Sequence, residues 1–235
     1  MNKESGPGEN LRPSGAQPAR KTEWLVWGGL AVVIAVIAIA FLRSKIGVSK
    51  PLTVIGQISD FSLTNQDNER VTLADLRGKV WMADIVFTRC PGPCPVMTRH
   101  LAELQAALPP DSPVRLVTLT SDPEYDTPPV LKKWSALFGA DAKRWYFLTG
   151  PKPEIRRLAV NDFKFVVVEK PAADRSVPDD LFIHSIWFVL VDQQGRVRGW
   201  TDDAGSLHAY FDSEDPAARA ELVPAINQLL REKTL

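Results

Sequence analysis

The chain has 235 residues, 45% of them hydrophobic, which is enough for one ordinary domain with a sizeable core plus appendages. Its 28 basic residues balance 28 acidic ones, so no charge excess marks nucleic acid as a partner. Two cysteines are too few for a disulfide scaffold, and no internal repeat is visible.

Residues 1–23 are rich in Gly, Pro, Ser and charge and read as a disordered tail. Trp24 to Leu42 follows without a charged residue, dominated by Val, Ile, Ala and Leu. At about 1.5 Å per residue this run nearly spans a bilayer core, and Trp24 and Trp27 stand where an interfacial belt would. Residues 24–42 are therefore expected to form one transmembrane helix. A cleaved signal peptide is excluded because Phe41-Leu42-Arg43 offers no small-residue cleavage site. Arg12, Arg20 and Lys21 on one side balance Arg43, Lys45 and Lys50 on the other, so charge does not orient the helix.

Residues 43–55 read as a linker and residues 56–235 as the globular domain. Ile58 to Leu63 is expected as a short strand, Asn65 to Asn68 as a turn, and Val71 to Leu76 as a strand or helical turn. Val80 to Phe87 is nearly continuously apolar and suits a central strand buried on both faces. A helix is expected from Cys94, a strand over Val114 to Thr120, a helix over Val130 to Phe138 stopped by Gly139, and a helix over Pro153 to Val160. Phe165 to Val168 reads as a strand, Ile186 to Val191 and Val197 to Thr201 as a hairpin, and Pro216 to Lys233 as a final helix. This alternation describes an α/β sheet with a terminal helix.

Cys90 and Cys94 lie in the loop after the central strand. Pro91 and Pro93 each fix φ and lack an N–H, so no helix can run from Cys90 to Cys94. Pro95 suits a first helical turn, and Met97, Leu101, Leu104 and Leu108 continue at helical spacing. Cys94 then opens a helix, where free N–H groups and the macrodipole lower a thiol pKa, and the pair reads as two thiolates. A loop broken by prolines lets Cys90 fold back over Cys94, within reach of a disulfide or of a shared soft metal, Cu(I) or zinc. A structural disulfide or two inert buried thiols are the plainer alternatives.

Of the three histidines, His100 lies about 240° around the helix from Cys94 and points away from it. His208 sits in a polar stretch near Asp202, Asp203 and Asp212 and reads as a surface residue. His184 follows an expected loop over Glu169 to Asp180 and precedes the strand at Ile186, from where it can reach the end of another strand. Met97 could serve as a soft axial ligand, though its register places it in the core.

Phe87-Thr88-Arg89-Cys90-Pro91-Gly92-Pro93-Cys94-Pro95, Thr120-Ser121-Asp122-Pro123-Glu124-Tyr125-Asp126-Thr127-Pro128, Phe147-Leu148-Thr149-Gly150, and His184-Ser185 before Leu190-Val191-Asp192-Gln193-Gln194-Gly195 together resemble the Sco/SenC family, in the family's order. The resemblance implies a thioredoxin-like domain with a central mixed sheet flanked by helices, anchored in a membrane by the N-terminal helix and facing the periplasm or the mitochondrial intermembrane space. It implies copper as the bound metal, with Cys90, Cys94 and His184 as ligands, and delivery to the copper site of cytochrome c oxidase subunit II. Other copper chaperones or thioredoxin-like reductants are further partners it implies. Two departures stand out: Pro-Gly-Pro is a stiff spacer, and the residues before His184 lack the family's common acidic-Tyr-x-x-Asp-His pattern. The same cysteine pair also suits a thiol-disulfide oxidoreductase that reduces a partner before metallation. Thr88 ahead of Cys90 raises a peroxidase as a third possibility, and a purely structural role would make Cys90→Ser silent.

Overall fold

In the structure, a computed structural model, residues 20–45, 52–177, 179, 181–201 and 205–232 are described. Most of the expected tail, part of the expected linker, and Asp202 and Asp203 lie outside them. The chain divides into two compact units, Met1–Val48 and Ser49–Leu235.

The first unit contains helix α1 (Arg20–Lys45), in which Trp24, Trp27, Val33 and Ile37 are exposed. Among the described residues no helix is long and apolar enough to cross a membrane.

The second unit opens with β1 (Thr53–Gln57), followed by a small hairpin, β2 (Ser62–Thr64) and β3 (Arg70–Thr72). The strand expected over Ile58 to Leu63 is thus split. Ile58 leaves the sheet edge after its N–H bonds Gly195 O, and Ser59 N–H is drawn to Asp162 instead of a neighbouring strand. Val71 to Leu76 is both things anticipated, a strand end and then a helical turn, α2 (Leu73–Leu76), set by a capping box between Thr72 and Asp75.

The remaining elements, in chain order, are β4 (Trp81–Val86), α3 (Cys94–Ala107), β5 (Arg115–Thr120), α4 (Pro128–Leu137), β6 (Trp145–Leu148) and α5 (Lys152–Arg156), which runs into a π-helical turn at Arg157–Asp162. They continue with β7 (Val167–Glu169), β8 (Phe182–His184), β9 (Trp187–Val191), β10 (Arg196–Thr201), β11 (Leu207–His208), β12 (Phe211–Asp212), α6 (Pro216–Ala220) and α7 (Leu222–Arg231). The final helix expected as one piece is two, broken at Glu221.

The main sheet runs β1-β10-β9-β4-β5-β6. Pairs β4–β5 and β5–β6 are parallel and the others on this path antiparallel, so the sheet is mixed. Every residue of β4 is buried, because helices and loops cover both faces of a central strand. Its side chains alternate between two core layers. Trp81, Ala83 and Ile85 join Val117, Val189, Val191, Leu158 and Phe163 on one face. Met82 joins Met97, Leu101, Leu104, Leu190, Ile226 and Leu229 on the other, beneath α3 and α7. The parallel register, Val86 opposite Thr120, brings the loops after β4 and β5 to the same end of the sheet, which is where an open α/β sheet offers a site.

Candidate metal centre

The cysteine loop is shaped locally. The Cys90 N–H bonds Phe87 O at 3.1 Å, closing a tight turn directly off β4. Pro93 O then accepts from the N–H groups of Val96 and Met97, both at 2.9 Å, and starts α3 with Cys94 as its first residue. Thr98 donates its hydroxyl to Cys94 O at 2.9 Å and accepts from Trp134 Nε1 at 3.3 Å, which fixes that first turn against α4. Cys94 is buried with Val86 and Phe87, while Cys90 is half-buried at the loop surface.

The histidine arrives from a different part of the chain. It ends β8, paired with Val167 of β7, so the expectation of a loop residue is corrected to a strand terminus. The β7–β8 hairpin is short and its strand character was hidden between Pro and Asp residues. Ser185 secures its end, since its N–H donates to Val166 O and its hydroxyl accepts from Val166 N–H at 2.7 Å. Phe87 meets Phe182 and His184 edge-on, at centroid distances of 5.2 and 5.7 Å.

His184 Nδ1 lies 3.0 Å from Ser185 O. A carbonyl only accepts, so Nδ1 carries a proton, and in the neutral ring Nε2 is the nitrogen with the free lone pair. That nitrogen faces Cys94 Sγ at 3.0 Å. The ligand atoms of Cys90, Cys94 and His184 all lie within 4.8 Å of one another, and among the described residues they form the one group able to hold a metal ion. Thiolate–metal bonds of about 2.3 Å and imidazole–metal bonds of about 2.0 Å would require the sulfur and nitrogen to part by less than about 1 Å. The donor set therefore fits a soft or borderline cation. A hollow of about 570 Å³ beside it, lined by Phe87, Cys90, Pro91, Pro93, Phe182 and His184 among others, opens the site to solvent.

The two thiols differ, contrary to the reading of both as thiolates. Cys90 is pulled down to about 4, chiefly by a hydrogen bond from Cys94, helped by the backbone N–H groups of Cys94 and Gly92. Cys94 is pushed well up, first by burial and then by its role as donor to Cys90 and repulsion from that thiolate. The helix N-terminus favours an anion at Cys94, but desolvation of a fully buried sulfur outweighs it. The metal-free pair thus holds one proton, on Cys94, with the Cys90 sulfur as its acceptor.

Beneath α3 on β4 sits Asp84, fully buried, with neither carboxylate oxygen hydrogen-bonded among the described residues. Burial raises it to about 7, only partly offset by Thr118 across the β4–β5 register. Sequence reading passed over it, although a single Asp inside an apolar strand was its visible signal. The other candidates fall elsewhere. Met97 is a core residue. His100 is half-buried rather than solvated, on a different face of α3 from the site, its Nδ1 enclosed without a partner. His208 stacks on Trp200 at 4.5 Å.

The SCO1/SenC family model matches residues 54–213. The SCO1 protein homolog of Bacillus subtilis is 38% identical over 143 residues, 60% of this chain and 71% of that protein. The solved structure of BsSco, described as carrying a disulfide switch and as a member of the Sco family of cytochrome c oxidase assembly proteins, is 31% identical. It covers 79% of this chain and 99% of its own, with a TM-score of 0.62. ScoI of Bradyrhizobium japonicum, solved with copper bound, is 24% identical over 74% of this chain and 99% of its own, with a TM-score of 0.57, a likeness of fold. The α/β architecture found here, a mixed sheet flanked by helices, matches these thioredoxin-like structures.

Proposed function

We propose that this chain, which belongs to the SCO1/SenC family, is a copper carrier that binds one copper ion through Cys90, Cys94 and His184 and passes it on during assembly of a cytochrome c oxidase copper centre. The observation that carries the reading is the convergence of two sulfurs and one imidazole nitrogen within 4.8 Å, with Nδ1 of that ring held by Ser185 O. Two thiolates with an imidazole suit Cu(I), and the same donors hold Cu(II) with an added ligand. Cys90 supplies a ready thiolate at the surface. Cys94 gives up its proton to solvent when it takes up its share of the metal, because His184 Nε2 is needed as a donor. Ser185 O holds Nδ1–H and so keeps Nε2 aimed at the sulfurs, as the outer partner of a metal-bound histidine does. Cys90, half-buried at the loop surface where Cys94 is buried, is the donor a recipient's ligands can displace first.

In the same reading, residues 24–42 anchor the chain in a membrane, with 43–55 as tether and 56–235 as the copper-handling domain on the periplasmic or intermembrane-space side. The apolar run and the exposure of its described side chains support this, since Trp24 and Ile37 are 80% and 62% exposed to solvent.

The test is copper stoichiometry and absorption of the reduced protein and of His184→Ala. One copper per chain is expected, with a thiolate charge-transfer band in the Cu(II) form that changes when His184 is removed. Failure to retain copper against a modest competitor would overturn the reading.

A second reading, a thiol-disulfide oxidoreductase, is favoured by the division between a half-buried Cys90 thiolate and a buried Cys94 thiol. Cys90 attacks one sulfur of a partner disulfide and the partner's other sulfur leaves as thiolate. Cys94, deprotonated, then attacks Cys90 and releases the second partner thiol, so two electrons pass to the partner and Cys90–Cys94 is left as a disulfide. Fast reduction of a partner disulfide without copper retention selects this reading.

A further inference from the structure

We propose that Arg89 is a positioning residue that holds the histidine arm of the site against the cysteine arm, through a clasp from Asp122 to Asp179. The inference rests on the copper reading above and adds a device to it. The donors come from two segments with no covalent reason to stay together, the β4–α3 loop and the β7–β8 hairpin. Besides ring contacts of Phe87, a polar link between these segments among the described residues runs through the residue just before Cys90.

Arg89 Nη2 donates to Asp122 Oδ2 at 2.7 Å, Nη1 donates to Asp179 Oδ1 at 3.2 Å, and the guanidinium lies 4.1 Å over the Tyr125 ring. The two ends of this clasp differ in kind. Asp122 and Tyr125 belong to the turn after β5, which is built rigidly: buried Asp126 accepts from Thr88 N–H at 3.1 Å and from the hydroxyls of Thr88 and Thr120, and Asp122 N–H donates to Thr120 at 2.9 Å. The Asp122 side chain is 11% exposed, so that end is a fixed post. The Asp179 side chain is 53% exposed and lies in the segment that leads into β8 and His184. A planar fork with two separated donor edges can serve both carboxylates at once, which a lysine ammonium cannot do in the same geometry. The clasp restricts where the approach to His184 can sit, and so raises the effective concentration of Nε2 at the sulfurs.

The closing experiment measures Cu(I) affinity by competitor titration, and the histidine-nitrogen coupling in the electron spin resonance signal of the Cu(II) form. It compares the full chain, Asp179→Asn, His184→Ala and the double variant. Asp179→Asn removes the exposed end and leaves the Arg89–Asp122 pair intact, so folding is not at stake. An ion pair of this exposure corresponds to a two- to fivefold loss of copper affinity, roughly. The expected result is that loss, a reduced share of nitrogen-coupled signal, and no additional loss when Asp179→Asn is combined with His184→Ala. The deficit should also vanish at about 1 M salt, where the pair is screened in the parent chain as well. Unchanged affinity, or an equal loss in the His184→Ala background, overturns the clasp while leaving the copper reading in place. Absence of copper binding by the parent chain refutes both together.

Discussion

Asp84→Asn offers the sharpest test of how burial controls this site. Asp84 has no solvent exposure and no hydrogen-bond partner among the described residues, and its carboxyl is raised from 3.8 to about 7. A raised acid binds its proton more tightly folded than unfolded, so between about pH 4 and pH 7 the folded chain carries more protons and stability falls as pH rises. The shift of about 3 units corresponds to about 4 kcal/mol of penalty accumulated by pH 8 and little at pH 4. Asparagine keeps the shape and cannot ionise. The difference in unfolding free energy between Asp84→Asn and the parent should therefore grow by about 4 kcal/mol from pH 4 to pH 8, because groups common to both chains cancel. The assay is denaturant unfolding of the reduced, metal-free protein at several pH values, followed by tryptophan fluorescence. Parallel stability curves across that range would refute the argument, since they would mean that Asp84 meets water or a partner in the folded chain.

Three other consequences can be measured. Alkylation of the reduced protein should modify Cys90 first, with a rate that titrates near pH 4, while Cys94 stays protected to well above neutral pH; peptide mapping that finds Cys94 modified first would reverse the assignment. Arg198→Met should lower stability by about 3 kcal/mol, because it removes the cation held by buried Asp192 and by Glu232, and thermal unfolding reads the loss. Gly199→Ala should cost at least about 1–3 kcal/mol, since its Cβ would stand 2.5 Å from His208 O, a backbone atom that cannot simply rotate away; an unchanged melting temperature would contradict the packing of β10 against β11.

The site depends on the sheet in a way that explains its asymmetry. β4 is paired on both sides, by β5 and β9, and ends at the same edge as β5, so the loop carrying Cys90 and the turn carrying Asp122 rise side by side. α3 then lies over Met82 and Asp84, which buries Cys94 at its first turn. Cys90, left in the turn before that helix, keeps access to solvent. The chemical division between a half-buried thiolate and a buried thiol follows from this placement and from desolvation, more than from the helix dipole.

Much of this was legible in the residues themselves. The apolar run at Val80 to Phe87 marked the central strand, the prolines forbade a helix between the cysteines, and the turn Asp192 to Gly195 between two strand-like runs marked the β9–β10 hairpin, because each signal is written within a few residues by side-chain pattern, turn residues or a fixed φ. The order of four motifs pointed to the family. What tertiary structure alone decided is what depends on residues far apart in the chain. His184 meets Cys94 only because β9 pairs with β4 and carries the short β7–β8 hairpin to the end of the cysteine strand. The differing acidities of Cys90 and Cys94, the raised pKa of Asp84 and the Arg89 clasp likewise arise from burial and through-space charge, which no local pattern encodes.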